Sequence, residues 1–294
     1  MFQKLKHRFS KEIDRLIHEE ITLKLYSFLS LKEKEQGVSP QKEGENAIIV
    51  SLTTYGKRIY DVHLAIESIL QQTDKPTKIL LWLAEDEFAD TEIPLLLKKQ
   101  QARGLEIYFC EDIRSYKKII PTIKAYPSAV IVTIDDDTIY PTNFLEKLLL
   151  AYKKNPRAIY FYRGKEISIK NNQLMPYRKW PLAKNEGLTS LKFMPTGVGG
   201  VLYPPGCFFE DVTNASIFMD LCPNADDIWL KAMSLLNNYP CSLIDTTNNF
   251  NNSFVTIPNS QNNALWKKNL DNNENDKQLQ LVFNKYCLIE KLQL

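Results

Sequence analysis

The stretch Ala129-Val130-Ile131-Val132-Thr133-Ile134-Asp135-Asp136-Asp137 decides how this chain is read. Its first six residues are apolar and rich in β-branched side chains, the composition of a strand covered on both faces within a parallel sheet. Its last three are carboxylates. Open α/β sheets bind ligands beyond the carboxyl ends of their strands, which is where this reading puts the aspartates. Three adjacent carboxylates raise each other's pKa unless a positive charge lies among them. An all-oxygen donor set suits magnesium, manganese or calcium. One aspartate would suffice to start a helix, so three in succession point to a cation site.

Upstream of this stretch the pattern alternates. Strands are expected at Ala47–Thr53, Thr77–Leu83 and Leu105–Cys110, with helices over about Tyr60–Gln71 and Ile93–Arg103. After the aspartates a helix begins near Pro141, a good first-turn residue, and runs to about Lys154. Strands alternating with helices of this length predict right-handed crossovers, hence an α/β fold with a mostly parallel sheet and helices on both faces. Beyond Asn155 short β-like runs (Ala158–Tyr162, Glu166–Lys170, Leu174–Tyr177) and a Gly/Pro-rich stretch, Pro195–Gly206, predict a smaller mixed sheet. Helices are expected over Asp226–Leu236 and about Asp276–Lys291, with an asparagine-rich loop between them. These shifts divide the chain into an N-terminal helical extension (1–40), a polar linker, and one domain (47–294) with halves 47–154 and 155–294.

At 294 residues and 44% hydrophobic content the chain can bury a full core. Lys plus Arg (37) against Asp plus Glu (35) is too balanced to announce nucleic acid as a partner. Five cysteines without paired short spacing indicate neither a disulfide framework nor a zinc site, and a reducing cytoplasm fits best. No apolar run reaches the ~20 residues a bilayer span needs, and Lys4, Lys6, Arg8, Lys11 and Glu12 break up any signal-peptide core. Residues 1–36 read as one helix whose stripe comprises Phe2, Leu5, Phe9, Ile13, Leu16, Ile21, Leu25 and Phe28. The protein's own body or a second subunit is the favoured partner for that stripe. An anionic membrane surface is the other, because residues 1–18 carry five Lys/Arg against two acids.

Four further groups have chemical potential. Asp226 and Asp227 stand at the start of a helix with Ile228, Ala232 and Leu235 on one face. Two readings stand side by side: Asn224 caps the helix while the acids complement its positive end, or one carboxylate faces a cleft and takes a proton. Ser51–Arg58 supplies hydroxyls, a ring, a glycine and two cations at a strand end, suited to a base, ribose and phosphates, or to an ordinary loop. Lys117 and Lys118 are phosphate ligands if they face the cleft and solvated charges if they do not. Gly197–Gly206 lacks the spacing of a Walker or Rossmann phosphate loop. Its glycines suit a wall for a flat substrate, or a tight bulge. His7, His18 and His63 lie away from the acidic groups, so a histidine-based triad or zinc hydrolase finds no support.

Taken in order, Ser51-Leu52-Thr53-Thr54-Tyr55-Gly56-Lys57-Arg58, the Asp135–Asp137 triplet, the Gly-Gly-Val-Leu-Tyr-Pro-Pro segment from Gly199 and Asp226-Asp227-Ile228-Trp229-Leu230 resemble bacterial glycosyltransferases of the GT-A fold, close to the family 2-like group. The resemblance spans about residues 47–290. It implies that 47–154 binds a nucleotide-sugar and 155–294 an acceptor, a glycan or glycolipid of the lipopolysaccharide or capsule type. It also implies that Asp135 and Asp137 serve Mn2+ or Mg2+, with Asp136 beside them at the donor diphosphate, and that Asp227 is the base, with Asp226 adjoining. By the same resemblance Thr53, Tyr55, Arg58, Lys117 and Lys118 border the donor, while Gly199, Gly200 and Tyr203 face the acceptor. No C-terminal histidine is available as an extra metal ligand; Asn275-Asp276 is a substitute in position only. A nucleotidyltransferase and a non-catalytic nucleotide-sugar-binding protein are the rival readings. The implied setting is cytoplasmic, with the inner membrane as the surface that residues 1–28 would touch.

Overall fold

The computed structural model describes residues 2–40, 46–244, 253–258 and 273–293. After a long helix α1 (Phe2–Lys32), strands β1 (Ile48–Thr53), β2 (Lys78–Ala84), β3 (Leu105–Cys110) and β4 (Val130–Thr133) alternate with α2 (His63–Leu70), α3 (Glu85–Phe88), α4 (Leu95–Gln101) and α5 (Ile120–Ala125). These four strands are parallel, in the order β3-β2-β1-β4. Then come β5 (Thr138–Ile139), α6 (Phe144–Lys154), β6 (Ile159–Phe161), β7 (Gly164–Glu166), β8 (Ile169–Lys170), β9 (Gln173–Leu174), β10 (Thr189–Ser190), β11 (Phe193–Pro195) and β12 (Val201–Tyr203). The remainder is α7 (Ala215–Leu221), α8 (Asp226–Leu236), β13 (Cys241–Leu243), β14 (Val255–Thr256), α9 (Glu274–Lys285) and α10 (Leu288–Lys291).

The central sheet has eight strands in the order β10-β13-β6-β12-β4-β1-β2-β3. β12 lies antiparallel between β4 and β6, and so joins the two halves into one sheet. β13 runs parallel to β6, and β10 closes that edge antiparallel. Small antiparallel pairs, β7 with β11, β5 with β14 and β8 with β9, flank it.

The period of two along each strand sorts side chains to opposite faces, and each face meets a helical layer. Ile49, Leu80, Ile131, Phe161, Val201 and Tyr203 pack with Ile120 of α5, Ile228 and Trp229 of α8 and Phe283 of α9. Val50, Leu52, Leu81, Val132, Tyr160 and Leu202 pack with Ile66 of α2, Leu97 of α4 and Phe144 of α6. A slip of one residue in β4 would exchange the two sets, so burial on both faces fixes its register. Between α2 and α4, Glu67 is wholly buried against Arg103, whose Nη1 donates to both carboxylate oxygens at 2.8 and 2.9 Å. Arg103 Nε also donates to the carbonyl of Glu35 at 2.9 Å, tying in the chain that follows α1.

Several elements differ from the sequence expectation. The first helix ends at Lys32, and the one expected from Tyr60 is a 3-10 turn, Gly56–Tyr60, followed by α2. The last helix breaks where Cys287 adopts φ +51°. The larger correction concerns α1. It docks through Leu23, Tyr26 and Leu29 onto Leu64, Ala65, Ile139, Val255 and Ile257. Its expected stripe faces the other way: Ile13, Leu16, Ile21, Leu25 and Phe28 are exposed, as is Ile17. Of the two partners favoured for that stripe, the protein's own body does not bury those residues. Apolar spacing along a helix says that it has two faces but not which one the body takes. Among the described residues, no helix is long and apolar enough to cross a membrane.

Candidate active site

The aspartates emerge beyond the carboxyl end of β4, with Asp135 two residues after Thr133. Each has its own surroundings. Asp136 is the most enclosed: its Oδ2 accepts from Thr54 Oγ1 at 2.7 Å and its Oδ1 from Arg58 Nη1 at 2.5 Å. Arg58 Nη2 also reaches Asp137 Oδ2 at 3.3 Å and stacks over the Tyr55 ring, 5.0 Å from its centroid. Asp135 is the more open, and its Oδ1 lies 3.1 Å from Lys118 Nζ. Its backbone N–H donates to the buried Tyr140 hydroxyl at 2.9 Å, which fixes the turn.

The second acidic pair opens α8. The N-cap is Ala225, without a side-chain cap; Asn224, the expected cap, instead turns its side-chain oxygen to the Arg114 guanidinium. Asp226 is buried, and its Oδ2 sits 3.0 Å from Lys118 Nζ, off the line of a hydrogen bond, so the contact is an ion pair. Lys118 thus bridges β4 and α8. Those carboxylates hold its ammonium charged against the cost of burial, raising its pKa. Asp227 is partly exposed and accepts from the Gly197 N–H at 3.1 Å. Burial, with Asp226 and Asp135 nearby, pushes its carboxyl up to about 7.

The loop before β12 completes the site. A Cβ on Gly197 would stand 2.8 Å from Lys118 Nζ and 3.1 Å from Asp135 Oδ1, so its backbone lies directly on that ion pair. The sequence offered the glycines of Gly197–Gly206 as a wall, and the resemblance turned Gly199, Gly200 and Tyr203 toward the acceptor. Gly199 is buried in the 3-10 turn Gly197–Gly199, and Gly200, at φ +72°, packs on Phe144, where a Cβ would come within 2.5 Å of the ring. Tyr203 is buried in β12; burial, then Asp227, drives its hydroxyl pKa up. Thr53 donates to the carbonyl of Trp82 at 2.7 Å. Lys117 and Lys118 part company: Lys117 pairs with Asp112 and only Lys118 reaches the aspartates. Asp276, the substitute ligand considered above, accepts from the Tyr177 N–H at 2.6 Å.

The geometry therefore brings together Arg58, Lys118, Asp135, Asp136, Asp137, Asp226, Asp227 and Gly197. Missed by sequence reading were the bridge made by Lys118 and, within the glycine stretch it singled out, the particular contact of Gly197 with Asp227 and the ion pair, both set by tertiary pairing. Five carboxylates face two cations. The surplus shows at Asp137, whose carboxyl burial and its two neighbouring aspartates push up to about 6. Among the described residues no three His, Cys, Asp or Glu side chains form a ready-made metal cage. A surplus of carboxylate oxygens with too few protein ligands for a closed cage fits a hard divalent ion that completes its shell with water and phosphate. Asp135 and Asp137 are the candidate ligands that the resemblance implies for such an ion.

Neither a family model nor any curated protein sequence matches the chain. Among the solved structures similar to the chain are two transferases of nucleotide substrates. A mannosyltransferase from Pyrobaculum calidifontis, determined with GDP-mannose and Mn2+, superposes with a TM-score of 0.50 at 12% identity, over 93% of this chain and 74% of that one. CMP:2-keto-3-deoxy-manno-octonic acid synthetase with CTP has a TM-score of 0.38 at 11% identity, over 68% of this chain and 89% of that one. The fold defined by the first likeness and by the strand order is GT-A-like.

Proposed function

We propose that this protein is a metal-dependent inverting glycosyltransferase that moves one sugar from a nucleotide-sugar to a hydroxyl of a surface-glycan acceptor. The observation that carries the reading is the ion-paired bridge of Lys118 between Asp135 and Asp226, which sets the β4 carboxylates and the Asp227 carboxylate on two sides of one site. Asp135 and Asp137 would hold Mn2+ or Mg2+, which would supply positive charge to offset that of a departing diphosphate. Arg58 orients Asp136 and Asp137, with Tyr55 beside it as a stacking surface for the base. Of the two acids on α8, Asp226 is committed to Lys118, which leaves Asp227 as the base. Its raised pKa suits it to take a proton from an acceptor hydroxyl near neutral pH. Gly199, Gly200 and Tyr203 support that side from beneath as part of the wall. Thr53 and Lys117 are assigned to the donor rim.

An anionic bilayer is the partner this reading gives the exposed face of α1, placing a cytoplasmic enzyme beside a glycolipid acceptor at the inner membrane. The deciding experiment is nucleoside diphosphate release with Mn2+ across a donor panel that begins with GDP-mannose. Release is expected to need acceptor and to be lost in Asp137→Ala; undiminished turnover by that variant overturns the metal assignment. Pyrophosphate release from a nucleoside triphosphate would mark a nucleotidyltransferase, and binding without release a non-catalytic protein.

A further inference from the structure

Lys118 is a buried ammonium with fewer partners than it has hydrogens. Its Nζ makes one aligned hydrogen bond, to Asp135 Oδ1 at 3.1 Å, and one ion pair off the hydrogen-bond line, to Asp226 Oδ2 at 3.0 Å. An ammonium carries three N–H donors, so among the described residues two have no aligned acceptor. The side chain is only 8% exposed, and donors left over at that depth are costly. Asp226 Oδ2 is likewise buried without a hydrogen bond. The ammonium fits between the carboxylates because residue 197 has no Cβ to occupy the space.

The candidate metal ligands are each engaged by a side-chain cation, but unequally. Arg58 directs its short bond, 2.5 Å, to Asp136 and reaches Asp137 at 3.3 Å. Lys118 gives its one aligned bond to Asp135 itself, which at 28% is the most exposed of the three aspartates. A divalent ion on Asp135 would therefore have a positive charge 3.1 Å from one of its donor oxygens, and in a buried site that repulsion is strong. Arg58 can keep Asp136 when an ion is bound; Lys118 cannot keep Asp135.

We infer that Lys118 is the resident counter-ion of the metal site: its ammonium holds Asp135 while no divalent ion is bound, then yields that carboxylate to the ion, keeps Asp226 and turns its spare N–H groups to the donor's diphosphate. This rests on the glycosyltransferase reading for the ion on Asp135 and for the diphosphate. A lysine suits the exchange, being a point charge on a flexible stem with three rotatable donors.

The test is Mn2+ titration of the full-length protein by electron paramagnetic resonance, which reads free ion and needs no turnover, followed by calorimetry with preformed Mn2+–pyrophosphate. Lys118→Met keeps the stem and removes the charge, so Mn2+ alone is expected to bind about tenfold or more tightly than to the wild type. Mn2+–pyrophosphate should bind more weakly to the same variant. Loss of a merely structural lysine would not move the two in opposite directions. If Lys118→Met does not fold, reductive methylation of the wild type read by peptide mass spectrometry decides: Mn2+ should raise labelling of Lys118 and leave Lys117, paired with Asp112, unchanged. Labelling of Lys118 that Mn2+ does not raise, or Mn2+–pyrophosphate bound no more weakly by the variant, overturns the proposal. Mn2+ binding that is lost in Asp137→Ala but is no tighter in Lys118→Met overturns it too, while leaving the metal assignment standing. Mn2+ bound by neither the wild type nor Lys118→Met strikes the metal assignment, and this proposal with it.

Discussion

Asp227 is one carboxylate whose surroundings set its chemistry. Its folded pKa of about 7 means that it is half protonated near neutrality, so turnover should rise with pH through about 7 and level off above. A kcat profile that is flat from pH 5 to pH 8 would remove it as the base. Asp227→Asn should lower turnover by about 10²–10⁴-fold with donor binding kept, as single-turnover and titration measurements would read. Gly197→Ala puts a methyl 2.8 Å from the end of a flexible lysine. The ammonium can swing aside, so the melting temperature should hardly change while Mn2+-dependent nucleotide affinity falls. Unchanged affinity would mean that the Lys118–Asp135 contact is incidental. At this scale the sequence was legible only in part. The aspartates announced themselves, but Lys117 and Lys118 are equivalent on paper, and only the 3-10 turn Arg114–Lys118 points one to Asp112 and the other into the site.

Elements with a clear period were legible. β1 to β4, α6 and α8 follow from apolar runs and helical spacing, and α8 begins and ends where expected. β12 did not, because a three-residue strand set between two glycines and two prolines looks like a turn until its partners β4 and β6, far off in sequence, are known. α5 and α7 are one to two turns long and were missed for the same want of period. α1 was legible as a helix, but the face it buries was not. Between α2 and α4 the buried Glu67–Arg103 pair gives a sharp expectation: Glu67→Gln leaves a guanidinium buried without its counter-charge, at a cost of about 3–5 kcal/mol in urea unfolding. A loss below about 1 kcal/mol would show that water reaches the pair.

For the whole molecule, the surplus of carboxylates couples stability to pH. Asp137 and Asp227 titrate in the folded state at about 6 and about 7, against 3.8 for an ordinary aspartate. Raised values mean that the native state binds more protons than the unfolded one between those limits. Without metal the protein should therefore lose stability as pH rises from about 4 to about 7. Mn2+, which competes with those protons, should raise the melting temperature more at pH 8 than at pH 5.5. Equal shifts at both pH values would place the ion elsewhere. The exposed face of α1 predicts a second property of the whole chain: sedimentation with phosphatidylglycerol vesicles, weakened by Ile17→Glu with Ile21→Glu. Sedimentation that survives both changes would assign the contact to another surface.

β12 also has a bearing on how the chain is made. Synthesis delivers β1 to β4 first, and β4 then waits with one edge bare, its apolar residues committed and its ladder open, until Val201–Tyr203 has left the ribosome. A bare apolar edge recruits other chains. A fragment stopped after α6 should therefore precipitate although it contains a complete βαβ series, whereas one extended past Tyr203 has the means to cover its own edge. Residues 47–154 should thus depend on the strand at Val201–Tyr203 for their solubility, and the two regions should be expressed or transplanted together.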